Sequence, residues 1–172
     1  MERFKELVEK ANRSLNTADH LAYVTYPVIN EPKLTITILN NIYQSLLHSI
    51  DALLYYDYLF KRVSFYPKDE KEKIELFRKI TSKHYNIDRE QIILIDEIKN
   101  LLSKHKESPI EFIRKDQLII CSTNYNIQTI SINKIKDYLS KSKEFVDKIN
   151  RIHNGVHKSF RWSKRRIKEV WA

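Results

Sequence analysis

The residues best suited to contact a ligand lie in the last 22 positions of this 172-residue chain, where cationic and aromatic side chains are interleaved. Residues 151–172 hold seven Lys and Arg residues and one acid, a net charge of +6, whereas residues 1–150 hold 24 basic and 21 acidic residues, a net charge of +3. Arg pairs with phosphate through parallel hydrogen bonds, and Trp and Phe stack on unpaired bases. We therefore predict RNA or another polyanion as the partner. The candidate nucleic-acid-binding residues are Lys158, Arg161, Trp162, Lys164, Arg165, Arg166, Lys168 and Trp171.

A second interpretation of this tail is structural. On a helix, Phe160, Ile167 and Trp171 fall close together, while the basic residues fall largely elsewhere. The apolar strip would then dock the tail on the rest of the protein, with or without a ligand on the outer face. Binding to an anionic membrane surface is a third interpretation, which the short amphipathic stretch disfavours.

The histidines and the cysteine indicate neither a metal site nor a cofactor. His48 and Asp51 are one helical turn apart, which favours a satisfied polar pair over an Asp-oriented base. His153 and His157 have the i, i+4 spacing of a metal-binding pair, but no third ligand accompanies them. Cys121 is the single cysteine, so it forms no internal disulfide and no Cys-rich zinc site.

Hydrophobic periodicity predicts a mostly α-helical fold, an antiparallel bundle of about five long helices with one small β-hairpin. Asn154-Gly155 has the form of a helix end, so we expect a bundle domain over residues 1–154 and a basic tail over 155–172. The expected elements are helices over about 2–26 and 32–62, helices starting near Pro67 and Asp88, a short helix from Ser108 to Arg114, a hairpin within about 116–131, and a helix from Ser131 to about His153. The broad apolar stripe of the second helix predicts a central position in the bundle.

Composition excludes several other classes. The chain has one Gly and four Pro, too few for the regular turns of a β-sandwich and for a Gly-rich phosphate loop. The chain has no run of about 18 apolar residues, so no membrane span is expected. The charged N-terminus MERFKELVEK is unlike a secretory signal. With one cysteine, a reducing, cytoplasmic location is expected.

The segment NNIYQSLLHSIDALLYYDYLFKR, residues 40–62, resembles the long early helix of the HEPN superfamily of helical-bundle proteins, and the likeness in pattern extends over about residues 1–153. Many HEPN proteins are metal-independent RNases with an Arg followed, after four to six residues, by a His. The resemblance implies that His157 acts as a general acid and base on a ribose 2′-hydroxyl and that Arg151 stabilises charge on the phosphate. Two other pairs match the spacing, Arg78 with His84 and Arg13 with His20.

Three functions are therefore expected, in order of preference. The first is RNA binding through the tail. The second is a non-catalytic interaction module, or a homodimer formed through the helix that carries Tyr55, Tyr56 and Tyr58. The third is a HEPN-like RNase. The segments ADHLAYVTYP and SPIEFIRKDQLIICS also resemble a group of uncharacterised archaeal proteins, which implies no activity.

Overall fold

The computed structural model describes the backbone of residues 1–121 and 126–170 and the side chains of residues 1–121 and 126–155. Within these residues the protein is mostly α-helical with one small antiparallel sheet, which confirms the predicted fold class. Single π-helical turns, Leu21–Thr25 and Phe77–Thr81, join α1 to α2 and α4 to α5, so the described chain forms five helical rods. The helices are α1 (Glu2–His20), α2 (Tyr26–Ile29), α3 (Leu34–Leu59), α4 (Glu70–Leu76), α5 (Ser82–His84), α6 (Arg89–Glu107) and α7 (Ile132–Val170).

Helix α3 is the central element, as its broad apolar stripe predicted, and it packs against α1, α6 and α7. Leu39, Leu46 and Leu53 are fully buried along its length. Each such side chain contributes about 1.5–3 kcal/mol when it leaves water. Helix α1 runs antiparallel to α3, since Ser45 Oγ donates to the Ala11 carbonyl oxygen at 2.7 Å while Phe4, earlier on α1, lies 5.3 Å from the ring of Tyr56, later on α3.

The first helical rod continues beyond the predicted loop at Pro27. The Tyr26 N–H bonds the Leu21 carbonyl oxygen across the π-helical turn, and Pro27 lies in the first turn of α2. Because proline has no N–H and its ring crowds the preceding turn, a widened turn just before it lets the helix continue. The rod ends at Asn30, whose φ of 50° is left-handed.

The sheet has strand order β1-β2-β3, with β1 (Ile110–Arg114), β2 (Gln117–Cys121) and β3 (Ile127–Ile130). The predicted hairpin is confirmed as β2 with β3. The predicted short helix from Ser108 is wrong, because Ile110–Arg114 instead pairs antiparallel with β2. A two-residue turn, Lys115 and Asp116 with φ of 50° and 58°, joins these strands, and such positive angles are typical of tight hairpins.

Helix α7 begins as predicted, with Ser131 Oγ accepting from the Lys134 N–H at 3.3 Å. Its predicted end at Asn154-Gly155 is wrong, because the helix continues to Val170 and Gly155 has no positive φ. One glycine inside a helix costs only about 1 kcal/mol relative to alanine, which is too little by itself to end a helix. The division into domains 1–154 and 155–172 stays a prediction.

Candidate nucleic-acid interface

The predicted tail residues lie at the C-terminal end of α7. The backbone from Lys158 to Lys168 is helical, while the side chains of residues 156–170 and the whole of Trp171 lie outside the described part of the structure. Of the predicted catalytic pair, Arg151 is exposed on α7, and the His157 side chain also lies outside the described part. The RNase assignment of this pair therefore stays a prediction.

The second pair with the Arg–His spacing separates into two unrelated contacts. Arg78 Nη2 donates to both oxygens of Asp96 at 2.6 and 2.7 Å on the surface. His84 instead lies 3.2 Å, through Nδ1, from Oδ2 of Asp57 on α3. In the third pair, Arg13 and His20 line one open groove of about 660 Å³ on α1.

Asp57 is the centre of a polar cluster at one end of the bundle. Its side chain is 0% exposed, yet it accepts from Tyr85 Oη at 2.9 Å and from Arg62 Nη1 at 3.4 Å on Oδ1, in addition to the His84 contact on Oδ2. Burial, followed by the Asp57 charge, raises the pKa of Tyr85, which keeps the phenol protonated as a donor. A carboxylate can only accept, so His84 Nδ1 carries the proton.

Local backbone geometry brings these groups together. At the end of α3, Arg62 N–H bonds the Asp57 carbonyl oxygen at 2.8 Å and Lys61 N–H bonds that of Tyr58 at 3.1 Å, while Lys61 has a φ of 55°. This is a Schellman motif, which folds the chain back over the last helical turn and sets Arg62 above Asp57. The same pattern ends α5, where Asn86 has a φ of 48°.

The outer face of the cluster carries the Arg62 guanidinium and the His84 ring. The side chains of His84 and Arg62 are 39% and 45% exposed, whereas the carboxylate that holds them is fully buried. In the neutral His84 ring, Nε2 is an acceptor, and in the imidazolium it is a second donor. The arrangement therefore directs the Asp57 charge inward and presents the Arg62 guanidinium and the His84 ring to solvent.

A row of aromatic rings connects this cluster to α7. The Arg62 guanidinium lies 5.6 Å from the Tyr56 ring centre and 5.8 Å from that of Phe60, and these two rings are 4.6 Å apart. Tyr56 in turn lies 5.3 Å from Phe4, which lies 5.5 Å from the His153 ring on α7. Lys148, also on α7, donates to the Asn86 carbonyl oxygen. We name this surface, formed by residues 56–62 and 83–86, the Asp57 end.

The predicted interface tyrosines have different surroundings. Tyr55 and Tyr56 are half-buried against rings of their own chain, Tyr66 and Phe4 respectively. Tyr58 is exposed. The proposed use of these three residues in a homodimer stays a prediction.

Asp51, predicted as the partner of His48, contacts two other side chains. Asp51 accepts from Tyr66 Oη at 2.5 Å and pairs with Lys73 Nζ at 2.8 Å. Burial, followed by the charge of Lys10, lowers the pKa of His48, so this imidazole is predominantly neutral near pH 7.

Among the side chains that the structure describes, no group of three His, Cys, Asp or Glu residues is arranged to bind a metal ion. Across the described residues, no helix combines the length and the apolar character needed to cross a bilayer. No family model matches the chain, and no curated protein sequence matches it.

Sequence reasoning did not identify the Asp57 end. A signal was present, because Asp57 follows Ile50, Leu53 and Leu54 at intervals of seven, four and three residues, on the buried stripe of α3. A carboxylate in such a position requires partners, and the structure supplies them from the segments around residues 62 and 84.

Proposed function

We propose that the protein binds RNA through the C-terminal part of α7. The observation that carries the proposal is the concentration of charge, +6 over residues 151–172 against +3 over the preceding 150. The helical backbone through Val170 supports it, because Arg161, Lys164, Arg165 and Lys168 recur at intervals of one, three and four residues, which suits a cationic helix surface.

RNA is preferred to duplex DNA for two reasons. Trp162 and Trp171 can stack on exposed bases, which duplex DNA does not offer, and the chain has no recognisable DNA-reading motif. The resemblance to HEPN bundles also favours RNA. We further propose a cytoplasmic location, since a single cysteine suits a reducing compartment.

The test measures the affinity of the full-length protein for a labelled single-stranded RNA by fluorescence anisotropy over a range of salt concentrations. The logarithm of the affinity falls linearly with the logarithm of the salt concentration, with a slope of about 0.7 for each phosphate neutralised on a single strand. Replacing Arg161, Lys164 and Arg165 together by Gln should therefore lower the slope by about 2.

A control variant removes the same amount of charge elsewhere. Lys5, Lys79 and Lys141 are exposed and lie in i, i+4 ion pairs on α1, the α4–α5 rod and α7. Their replacement by Gln should leave the slope nearly unchanged. Binding that ignores salt, or equal losses in both variants, would contradict the proposal.

A second candidate function is self-association. Tyr58, Phe60 and Phe65 are 44%, 49% and 54% exposed, an aromatic content that is typical of protein interfaces. Light scattering over a range of concentrations tests this candidate. Replacing Tyr58 and Phe65 by Ser should shift a dimer to monomer, and a parent protein that is monomeric at every concentration would exclude it.

A further inference from the structure

We infer that Arg62 and His84 form a phosphate-binding site at the Asp57 end, with Phe60 as the stacking surface for the adjoining base. The ligand class is a nucleotide phosphate within or at the end of an RNA strand, so the inference rests on the proposed function. It assigns to the body of the protein a contact that is independent of the tail.

The first argument is the direction of charge. Several exposed cations on the helix surfaces pair with carboxylates that are themselves exposed, as Arg78 does with Asp96, whose side chain is 51% exposed. An approaching anion there meets both signs. Arg62 and His84 share a carboxylate that solvent does not reach, so an approaching anion meets mainly the Arg62 guanidinium and the outer edge of the His84 ring.

The second argument is local composition. Residues 58–68 contain Lys61, Arg62 and Lys68 and no acid, and residues 80–87 contain Lys83 and His84 and no acid. Contacts to Asp57 join these two segments. The ends of α3 and α5 each contribute about half a negative charge. Together with Asp57 they offset about two of the positive charges of Lys61, Arg62 and Lys83, so the surface keeps a positive sign.

The third argument is the neighbouring ring. Phe60 is 49% exposed and lies 5.8 Å from the Arg62 guanidinium, so a phosphate held by Arg62 would bring its base within reach of an accessible aromatic surface. Pairing of a cation with an adjacent ring is how proteins bind single strands without reading their sequence.

The experiment measures anisotropy against salt for full-length Arg62→Gln, Arg62→Lys and Phe60→Leu, with Arg78→Gln as the matched control. Arg62→Gln should weaken binding about fivefold at low salt and lower the salt slope by about 0.7, whereas Arg62→Lys should keep the slope. Phe60→Leu should weaken binding by about fivefold or more without changing the slope. Arg78→Gln should match the parent.

The slope separates a phosphate contact from a structural role. Lost packing in Arg62→Gln would lower the unfolding midpoint, measured on the same samples by circular dichroism, and would leave the slope of the folded protein intact. Measuring each variant on RNA with a 5′-hydroxyl and on RNA with a 5′-phosphate distinguishes an internal phosphate from a terminal one. A slope change on both RNAs supports an internal phosphate, a change confined to the phosphorylated RNA supports a terminal one, and no change on either overturns the inference.

The variant in which Arg161, Lys164 and Arg165 are replaced by Gln, here the tail variant, distinguishes failure of this inference from failure of the proposed function. If the tail variant loses affinity and Arg62→Gln does not, the site at the Asp57 end is refuted while the tail proposal stands. If only Arg62→Gln loses affinity, the tail proposal fails and this site stands. If the parent protein binds no RNA, both fail.

Discussion

Replacing Asp57 by Ala should destabilise the protein by about 2–4 kcal/mol. The carboxylate accepts a hydrogen bond from the Tyr85 hydroxyl at 2.9 Å, and a bond to a charged acceptor contributes about 1.5–3 kcal/mol. The contacts to Arg62 and His84 add at most about 1 kcal/mol each, because both side chains are partly exposed and can turn to water. Release of the buried charge offsets part of this loss.

The assay is thermal unfolding followed by circular dichroism. For a chain of this length, 1 kcal/mol corresponds to about 2–4 °C, so a loss of 3 kcal/mol lowers the midpoint by about 6–12 °C. Asp96→Ala is the control, because it removes an exposed carboxylate from Arg78 and should cost about 1 kcal/mol or less. Equal midpoints for the two variants would refute the assignment of Asp57 as the centre of the cluster.

A double-mutant cycle isolates the phenol contact. Tyr85→Phe removes the donor, so the combined variant has neither a buried acceptor nor a hydroxyl that requires one. The double variant should therefore lose about 1–2 kcal/mol less stability than the sum of the losses in the two single variants. Additive costs would mean that Tyr85 and Asp57 stabilise the fold independently.

Two further perturbations test other features of the structure. Burial lowers the pKa of His48 in the folded state, so the unfolded chain binds the proton more readily and stability falls as the pH drops through about 6.5. His48→Gln should therefore make the urea unfolding midpoint less dependent on pH over about pH 5–7. An unchanged pH profile would contradict this. Gly155→Ala should raise stability by roughly 0.5–1 kcal/mol in urea unfolding, because Gly155 is helical and an added Cβ meets nothing within 4 Å; a loss of stability would indicate a left-handed helix end instead.

Much of the fold was predictable because it depends on local periodicity. The stripe of α3 and the β-branched runs of β2 and β3 depend on side chains within a few residues of one another, and the structure confirms both. Strand β1 was not predictable in this way. Ser108-Pro109-Ile110-Glu111 resembles a helix start, but pairing with β2, Ile110 opposite Cys121 and Arg114 opposite Gln117, determines the outcome.

The turn between β1 and β2 also lacks the residues that usually indicate a hairpin, so it did not reveal β1. Its two residues are Lys115 and Asp116, whereas the usual signal for a tight hairpin is Asn-Gly or Asp-Gly. The helix end predicted at Gly155 fails for the opposite reason, because the glycine signal is present and the backbone does not use it. At both positions the backbone conformation depends on contacts beyond the neighbouring residues.

The candidate site shows the same limit. Spacing along the chain singled out His84, but it paired that residue with Arg78, six positions before it. The structure pairs His84 with Asp57 instead, 27 positions away, and a second Arg, Arg62, contacts the same carboxylate. Contacts at that separation depend on how α3 and α5 pack, which a pattern within one segment does not contain.

Asp57 has two distinct effects, one on the stability of the fold and one on the placement of Arg62 and His84. A carboxylate moved out of water costs several kcal/mol, and a well-packed apolar side chain in its place is often neutral or stabilising. Leu53 and Leu54, fully buried on the same helix, illustrate that alternative. An apolar side chain at position 57 would fill the space but would give the Arg62 guanidinium and the His84 ring nothing to hold them. Beyond the Tyr85 hydrogen bond, which the unfolding midpoint reports, the contribution of Asp57 is the orientation of two surface groups, and we propose to test that contribution by the salt dependence of RNA binding.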